Sequence, residues 1–350
     1  MFKRIAKIAG IVIGIILLLL IAGIGYLSVT EYKPEARQSA DRIVPAEGSS
    51  AGQTLTVCSW NIGYAGLGKD SDFFMDGGSM VTPPSQEIVT QNLNAIGTYM
   101  QEHPADVWLL QEVDTNSART EGLDEFAQLQ QTIGSSAAFA YNYKCPFVPI
   151  PLPPLGRVES GLATLTALYM ADNAERISLP CPFSWPVRTA NIKRCLLVTR
   201  SPIEGSDREL VLVNLHLEAY ESGEGRIAQT QQLLTLLQEE YAKGNYVIAG
   251  GDFNQSFPGT LEQYPIENPE LWMPGLLEEN ILPEGWQFAY DSSTATCRLL
   301  DKAYDGSNQL YVIDGFILSP NLQLDAVETI PLEFEHADHN PVRIELTLIP

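Results

Sequence analysis

Val247-Ile248-Ala249-Gly250-Gly251-Asp252-Phe253-Asn254 is an apolar run of strand length that stops at two glycines and hands over to an aspartate and an asparagine. A buried strand that carries polar groups to its end can mount an active site. An ordinary β-turn accounts for the same residues on backbone grounds alone. What decides between them is whether other strands of the chain end in the same way.

Several do. Thr54 to Trp60 alternates and is rich in β-formers, and it ends at Trp60-Asn61-Ile62-Gly63. Ala105 to Leu110 is a second buried strand and delivers Gln111-Glu112-Val113-Asp114. A carboxylate there is expensive to desolvate unless a cation pairs with it, which makes Glu112 a candidate metal ligand; exposure at the strand end is the alternative. Leu210 to Leu215 ends in Asn214-Leu215-His216-Leu217, and a lone histidine such as His216 gains meaning only from its company. Leu310 to Ser319 places Asp314 inside an apolar strand, and Glu335-His336-Ala337-Asp338-His339-Asn340-Pro341-Val342 precedes a closing strand, Val342 to Leu348. Leu162 to Met170 and Cys195 to Thr199 read as further strands.

Between these strands lie two helices. Ser85 is placed as an N-cap for a helix with Val89, Leu93, Ile96 and Met100 on one face. Arg226 to Tyr241 forms the other, with Ile227, Thr230, Leu234, Leu237 and Tyr241 aligned and Gly244 as its C-terminal cap. Tyr64 to Pro84 is too long for a connector and is expected to rim a site or to be a surface loop. Cys145 to Leu155 reads CPFVPIPLPPL, a proline density that excludes helix and central strand. It either packs over the edge of the core or presents an apolar lip to a membrane or an acyl chain. Alternating strands and helices with no repeat argue for one layered α/β domain over residues 54–350.

The chain of 350 residues is 45% hydrophobic, with 21 basic and 43 acidic side chains and a net charge of −22. Its first thirty residues hold Lys3, Arg4 and Lys7 and no acid, so the remainder carries 18 basic against 43 acidic groups, a net −25. Such a surface repels phosphate backbones and counts against nucleic-acid binding. Residues 8–29 are apolar enough to cross a bilayer. With residues 1–7 as a cytoplasmic stub, the positive flank puts the N-terminus inside and the remainder outside the cell membrane. A cleaved signal peptide is the rival reading, although its apolar region is usually only about 7–15 residues. Residues 30–53 mix charge, proline and a Gly-Ser cluster and are expected to form a flexible tether. The five cysteines show no zinc-ligand spacing, and their odd number leaves at least one unpaired.

With Trp60-Asn61, Gln111-Glu112, Asn214-Leu215-His216-Leu217, Gly251-Asp252-Phe253-Asn254, Ile313-Asp314 and Asp338-His339-Asn340-Pro341 in this order, the chain resembles the endonuclease/exonuclease/phosphatase family. That family includes pancreatic-type deoxyribonucleases, abasic-site endonucleases, inositol-phosphate 5-phosphatases and sphingomyelinases. The resemblance implies a four-layer α-β-β-α sandwich of two mixed sheets, here preceded by one transmembrane helix. It also implies hydrolysis of a phosphodiester or phosphomonoester with Mg²⁺, or Mn²⁺ as the alternative, on Asn61, Glu112 and Asp338. In that scheme Asp314 orients His339 as general base, Asp252 and Asn254 orient water and phosphoryl group, and His216 donates to a phosphate or leaving-group oxygen. His336 does not match the motif. The tyrosine and the basic residue that several branches add have no clear counterpart, with Tyr143, Lys193 and Arg194 as candidates. Placement, acidity and the proline segment favour a lipid phosphodiester over nucleic acid, and with no coiled-coil heptads or low-complexity tails to suggest assembly a monomer is expected. An extracellular Mg²⁺-dependent endonuclease is the second reading, and a catalytically silent tethered binding module the third.

Overall fold

The computed structural model of the protein describes residues 2–170, 173–221 and 223–349. Two seven-stranded sheets lie face to face. One runs Leu322–Thr329, Val342–Leu348, Thr54–Asn61, Val107–Asp114, Gly156–Thr166, Ser136–Val148 and Arg42–Val44. The other runs Arg37–Ser39, Glu175–Ser178, Cys195–Pro202, Glu209–His216, Tyr246–Asp252, Asp314–Leu318 and Gln287–Ala289. Each sheet is mixed, with one parallel pair at its centre: Thr54–Asn61 beside Val107–Asp114, and Glu209–His216 beside Tyr246–Asp252.

The period of two along each strand builds the layers. Leu55, Val57, Val107 and Leu109 face Leu212, Ile248 and Phe316 of the opposite sheet. Cys58, Trp60, Trp108 and Leu110 turn the other way, onto the helices Gln86–Glu102 and Glu125–Ile133 through Leu93, Ile96, Met100 and Phe126. Val247 and Ala249 meet Leu233 and Leu237 of the helix Glu224–Ala242 on the far side of the second sheet. The result is the expected four-layer sandwich. Each such buried aliphatic or aromatic side chain stabilises it by about 1.5–3 kcal/mol.

The two glycines of the opening stretch are steric necessities. A Cβ on Gly250 would lie 2.3 Å from the Phe316 ring and 3.1 Å from Leu109, and one on Gly251 would lie 1.9 Å from the Leu215 carbonyl oxygen. Ser85 caps its helix by accepting from the Ile88 N–H, and Gly244 at φ +88° donates to the Tyr241 carbonyl oxygen.

Several expectations change. The long C-proximal helix buries Thr230, Leu233, Leu236 and Leu237 while Ile227 is exposed, because neighbouring strands approach a face rotated from the sequence stripe. Leu310–Ser319 is not one strand: Leu310–Tyr311 pairs with Cys297–Arg298 in a small ribbon, and Asp314 opens the sheet strand. The helix Glu125–Ile133, too short for a clear period, was not anticipated. All five cysteines are unpaired, and Cys181 alone among them is exposed. The proline segment is divided: Cys145, Val148 and Leu155 are buried, while Phe147, Ile150 and Leu152 are exposed.

The largest correction concerns residues 30–53. They are built into the fold rather than forming a free tether. Arg37–Ser39 and Arg42–Val44 close one edge of each sheet, pairing with Glu175–Ser178 and Ser136–Val148. The Asp41 carboxylate accepts from the Tyr141 N–H at 2.9 Å, and Arg42 pairs with Asp124 at 2.6 Å. Edge pairing uses backbone groups, so it leaves little trace in hydrophobic period. The apolar helix before it, Phe2–Val29, has 28 residues; its most apolar 18-residue stretch has a mean hydropathy of 2.9 and is not covered by the fold.

Candidate active site

Strand register assembles the site. In the second sheet Asp252 is directly opposite His216 on one neighbour and Asp314 on the other. In the first sheet Asn61 is abreast of Gln111. By the alternation that sends Ile248 and Val57 between the sheets, these residues too face the gap between them, where the hydrophobic filling ends. Gln111 Nε2 donates to Asn214 Oδ1 at 2.8 Å and thereby ties the two sheets together beneath the site.

Asn61 bridges the two halves. Its Nδ2 donates to Asp252 Oδ2 at 3.1 Å and to Glu112 Oε1 at 3.3 Å, while its Oδ1 accepts from the Gly63 N–H. Glu112 is aimed by a β-bulge: the pairing of its strand with Gly156–Thr166 shifts between Leu110 and Val113, and Glu112 takes φ +54°. Asn254 is likewise left-handed, at φ +50°; its N–H donates to Asp252 Oδ1 at 2.8 Å and its Nδ2 to the Leu217 carbonyl oxygen. Strain of this kind collects where surrounding structure holds a functional side chain in place.

His339 Nδ1 lies 2.8 Å from Asp314 Oδ2, which makes Nδ1 the protonated nitrogen and leaves Nε2 facing Asp252 Oδ2 and Asp338 Oδ2, each at 3.9 Å. Trp60 Nε1 holds the His339 carbonyl oxygen at 2.9 Å. Burial opposes a charge on this ring, but the carboxylates of Asp314 and Asp338 outweigh it and raise its pKa well above the usual value. His216 is the opposite case. Burial, reinforced by the charges of Arg194 and His339, holds it neutral, with Nε2 3.4 Å from Asp252 Oδ2. Burial and then the charge of Asp314 push Asp252 up to about 7. Two histidines therefore sit in one cleft with pKa values driven apart, a pattern of acid–base sites.

Glu112 and Asp338 form a second acidic focus. Burial, opposed by His339 and reinforced by Glu112, pushes Asp338 up to about 7, and Asp338 Oδ1 is buried without a hydrogen-bond partner. An orphaned carboxylate oxygen that feels the charge of a second carboxylate fits a hard divalent cation, with the Asn61 side chain adjoining through its hydrogen bond to Glu112. Asp252, Asp314 and His339 also present metal-capable atoms within 4.8 Å of one another. There the facing Nδ1 and Oδ2 atoms are already committed to each other, so that trio is better suited to handling a proton.

The chain matches the sequence profile described as the Endonuclease/Exonuclease/phosphatase family over residues 58–327. It belongs to that family. Its fold is similar to that of a family protein from Beutenbergia cavernae, with TM-score 0.59 at 17% identity over 85% of this chain and 72% of that one. A family protein from Leptotrichia buccalis gives 0.54 at 16% identity over 84% and 100%, and the human Nocturnin catalytic domain with bound sulfate 0.52 at 18% over 85% and 96%. No curated protein sequence matches it. Endonuclease/exonuclease/phosphatase proteins are hydrolases acting on phosphoester bonds.

In this endonuclease/exonuclease/phosphatase chain the six motifs converge, and the structure sorts the remaining candidates. His336 points away, with Nδ1 3.0 Å from Asn92 Oδ1. Tyr143 donates to the Ala190 carbonyl oxygen, and Lys193 pairs with Glu31 at 3.3 Å. Arg194 differs: it is buried, its Nε and Nη1 have no hydrogen-bond partner, its Glu218 neighbour lies 3.8 Å away, and its charge is felt at His216. Two residues escaped the sequence reading. Tyr64, buried at φ +42° three residues after Asn61, is covered by the Arg119 guanidinium 3.5 Å from its ring centre. Arg119 itself is locked to Asp114 by two hydrogen bonds of 2.8 and 2.9 Å. Proximity to Trp60-Asn61 pointed at Tyr64; nothing local marks Arg119.

Proposed function

We propose that this chain is a cation-dependent phosphoesterase, anchored by its N-terminal helix with the catalytic domain outside the cell, that cleaves a phosphodiester of lipid character. The observation that carries this reading is the rung His216, Asp252, Asp314, with His339 locked to Asp314 on one side and the Asn61, Glu112, Asp338 focus on the other.

Asn61, Glu112 and Asp338 would hold Mg²⁺, or Mn²⁺ in its place. Bound there, the cation supplies counter-charge for phosphoryl oxygens and the leaving oxygen. The chain's own groups do the rest. In its neutral form His339 takes a proton from attacking water at Nε2, while Asp314 keeps Nδ1 protonated and stabilises the imidazolium that forms. Asp252, held by Asn61 and the Asn254 backbone, orients that water. Asn254 steers the phosphoryl group. Neutral His216 donates to a phosphoryl oxygen, and Arg194, with its unpaired guanidinium nitrogens, is suited to a second one.

Lipid is favoured over nucleic acid because the chain beyond residue 30 carries a net −25 and the Phe2–Val29 helix can reach a bilayer. The test uses the full chain in mixed micelles with added Mg²⁺. Its substrates are a soluble chromogenic phosphodiester, vesicles containing sphingomyelin and phosphoinositides, and DNA. Turnover of vesicles and chromogen supports the reading. Turnover of DNA alone replaces lipid by nucleic acid, and none at all removes the enzymatic assignment.

A further inference from the structure

Beside the point where the N-terminal helix leaves the fold, two segments expose large apolar side chains. Phe147, Ile150 and Leu152 are 42%, 72% and 86% exposed, and Trp185 and Val187 57% and 58%. The helix end is fastened into the same corner. Leu27 packs on the cluster of Cys145, Val148, Leu155 and Val158, which also takes up Phe74 and Val81 from the loop that begins at Gly63 and Tyr64 in the site. Trp185 Nε1 donates to Ser28 Oγ at 3.0 Å. Just beyond, Glu31, with only 5% of its side chain exposed, pairs with Arg188 at 3.2 Å and Lys193 at 3.3 Å. Helix exit, apolar tips and site loop are thus parts of one packed corner.

Charge follows the same division. In a chain with 43 acidic residues, neither 126–158 nor 176–203 contains a single Asp or Glu, while Lys144, Arg157, Arg188 and Lys193 of these segments reach the surface; Arg176, Arg194 and Arg200 are buried. These two segments carry the apolar tips. Apolar side chains, a tryptophan with a polar edge and a margin of Lys and Arg, here with Glu31 as the acid paired to Arg188 and Lys193, suit a surface that rests among phospholipid headgroups.

We infer that Phe147, Ile150, Leu152, Trp185 and Val187 form a membrane-seating rim that enters the headgroup boundary of the bilayer spanned by the protein's own helix. The inference rests on the anchored reading of Phe2–Val29. It goes further in one respect: the domain does not swing on a tether but is held against the leaflet, and the site loop containing Phe74 and Val81 is held there with it. The occupant is a lipid surface, since the helix continuous with this corner delivers the corner to one.

The experiment reads membrane contact, not turnover. In the full chain carrying Cys181→Ser, which removes the exposed native thiol, an environment-sensitive dye is attached at Ile150→Cys or Leu152→Cys. Further variants carry the dye at Leu18→Cys, within the helix, and at the exposed Gln323→Cys, on the strand at the opposite edge of the same sheet. All are reconstituted in phosphatidylcholine vesicles containing a fraction of doxyl-labelled lipid. The rim predicts blue-shifted emission and doxyl quenching at 150, 152 and 18, with water-like emission at 323. Quenching at 18 with water-like emission at 150 and 152 overturns the rim and leaves the anchor. Water-like emission at 18 overturns both. None of these outcomes depends on the phosphoesterase assignment, whose failure would appear only in turnover.

Discussion

Asp252 and Asp314 stand opposite each other on one rung of an antiparallel ladder, yet His339 gives Nδ1 to Asp314 at 2.8 Å and leaves Asp252 3.9 Å away on its Nε2 side. Identical side chains one strand apart therefore receive different work from the same ring. Asp314→Asn is expected to lower kcat by about 10²–10⁴ by releasing the tautomer and orientation of His339, as is His339→Ala by removing the base. KM should change little in either variant. Steady-state kinetics on a soluble phosphodiester checks this, and full activity in His339→Ala would remove the assignment.

Glu112→Gln and Asp338→Asn remove charge from the focus where an oxygen of Asp338 is orphaned. Each is expected to raise the Mg²⁺ concentration needed for half-maximal activity by about 10–100-fold, the usual cost of disturbing a ligand shell. A metal titration that matches the unsubstituted protein would exclude that residue as a ligand. Calorimetric titration of Mg²⁺ gives the same answer without turnover.

Arg194→Met keeps the buried volume and deletes the charge. If the guanidinium receives a phosphoryl oxygen, KM rises more than kcat falls. Independently, the pKa of His216 rises in NMR titration, because Arg194 is among the groups that depress it. A variant with unchanged KM would leave Arg194 a structural neighbour of Glu218.

Far from the site, Glu240 accepts two hydrogen bonds from Arg200, at 2.9 and 2.7 Å, and one from Lys243 at 2.8 Å. Burial opposes its charge, but these bonds hold its pKa down at about 2. A depressed carboxylate stabilises the fold above its unfolded value near 4.5, and that contribution is lost as pH falls from there towards 2. Glu240→Gln should therefore cost on the order of 2 kcal/mol at pH 7 and progressively less below pH 4. Denaturant melts of both proteins across that range test the sign; an equal loss at all pH values would contradict it.

Removal of the segment between helix and domain is the sharpest test of the corrected boundary. A chain starting at residue 54 lacks Arg37–Ser39 and Arg42–Val44, exposing an edge on each sheet. It is expected to unfold at lower temperature and to aggregate more than one starting at residue 30. Identical melting of the two would restore the tether.

Much of this protein was legible along the chain. Period-two strands, glycines before Asp252 and polar residues at the ends of apolar runs are local signals that marked Asn61, Glu112, His216, Asp252, Asn254 and Asp314, and the family resemblance singled out Asp338 and His339, before any of them could be placed in space. What these signals lack is distance. The bulge that aims Glu112, the burial of Arg119 over Tyr64 and the Arg194 nitrogens left without hydrogen-bond partners follow from segments more than 20 residues apart lying side by side.

By itself, the sequence determined the layered α/β class, the apolar N-terminal helix and the residue types available for chemistry, because side-chain period and composition are properties of neighbours. Tertiary structure alone decided that residues 37–44 close both sheets, that a bulge turns Glu112 toward the site, and that the helix exit, the proline loop and the Trp185 loop share one corner. Backbone pairing at sheet edges and register between strands are settled by which partners lie alongside, and no window along the chain contains both.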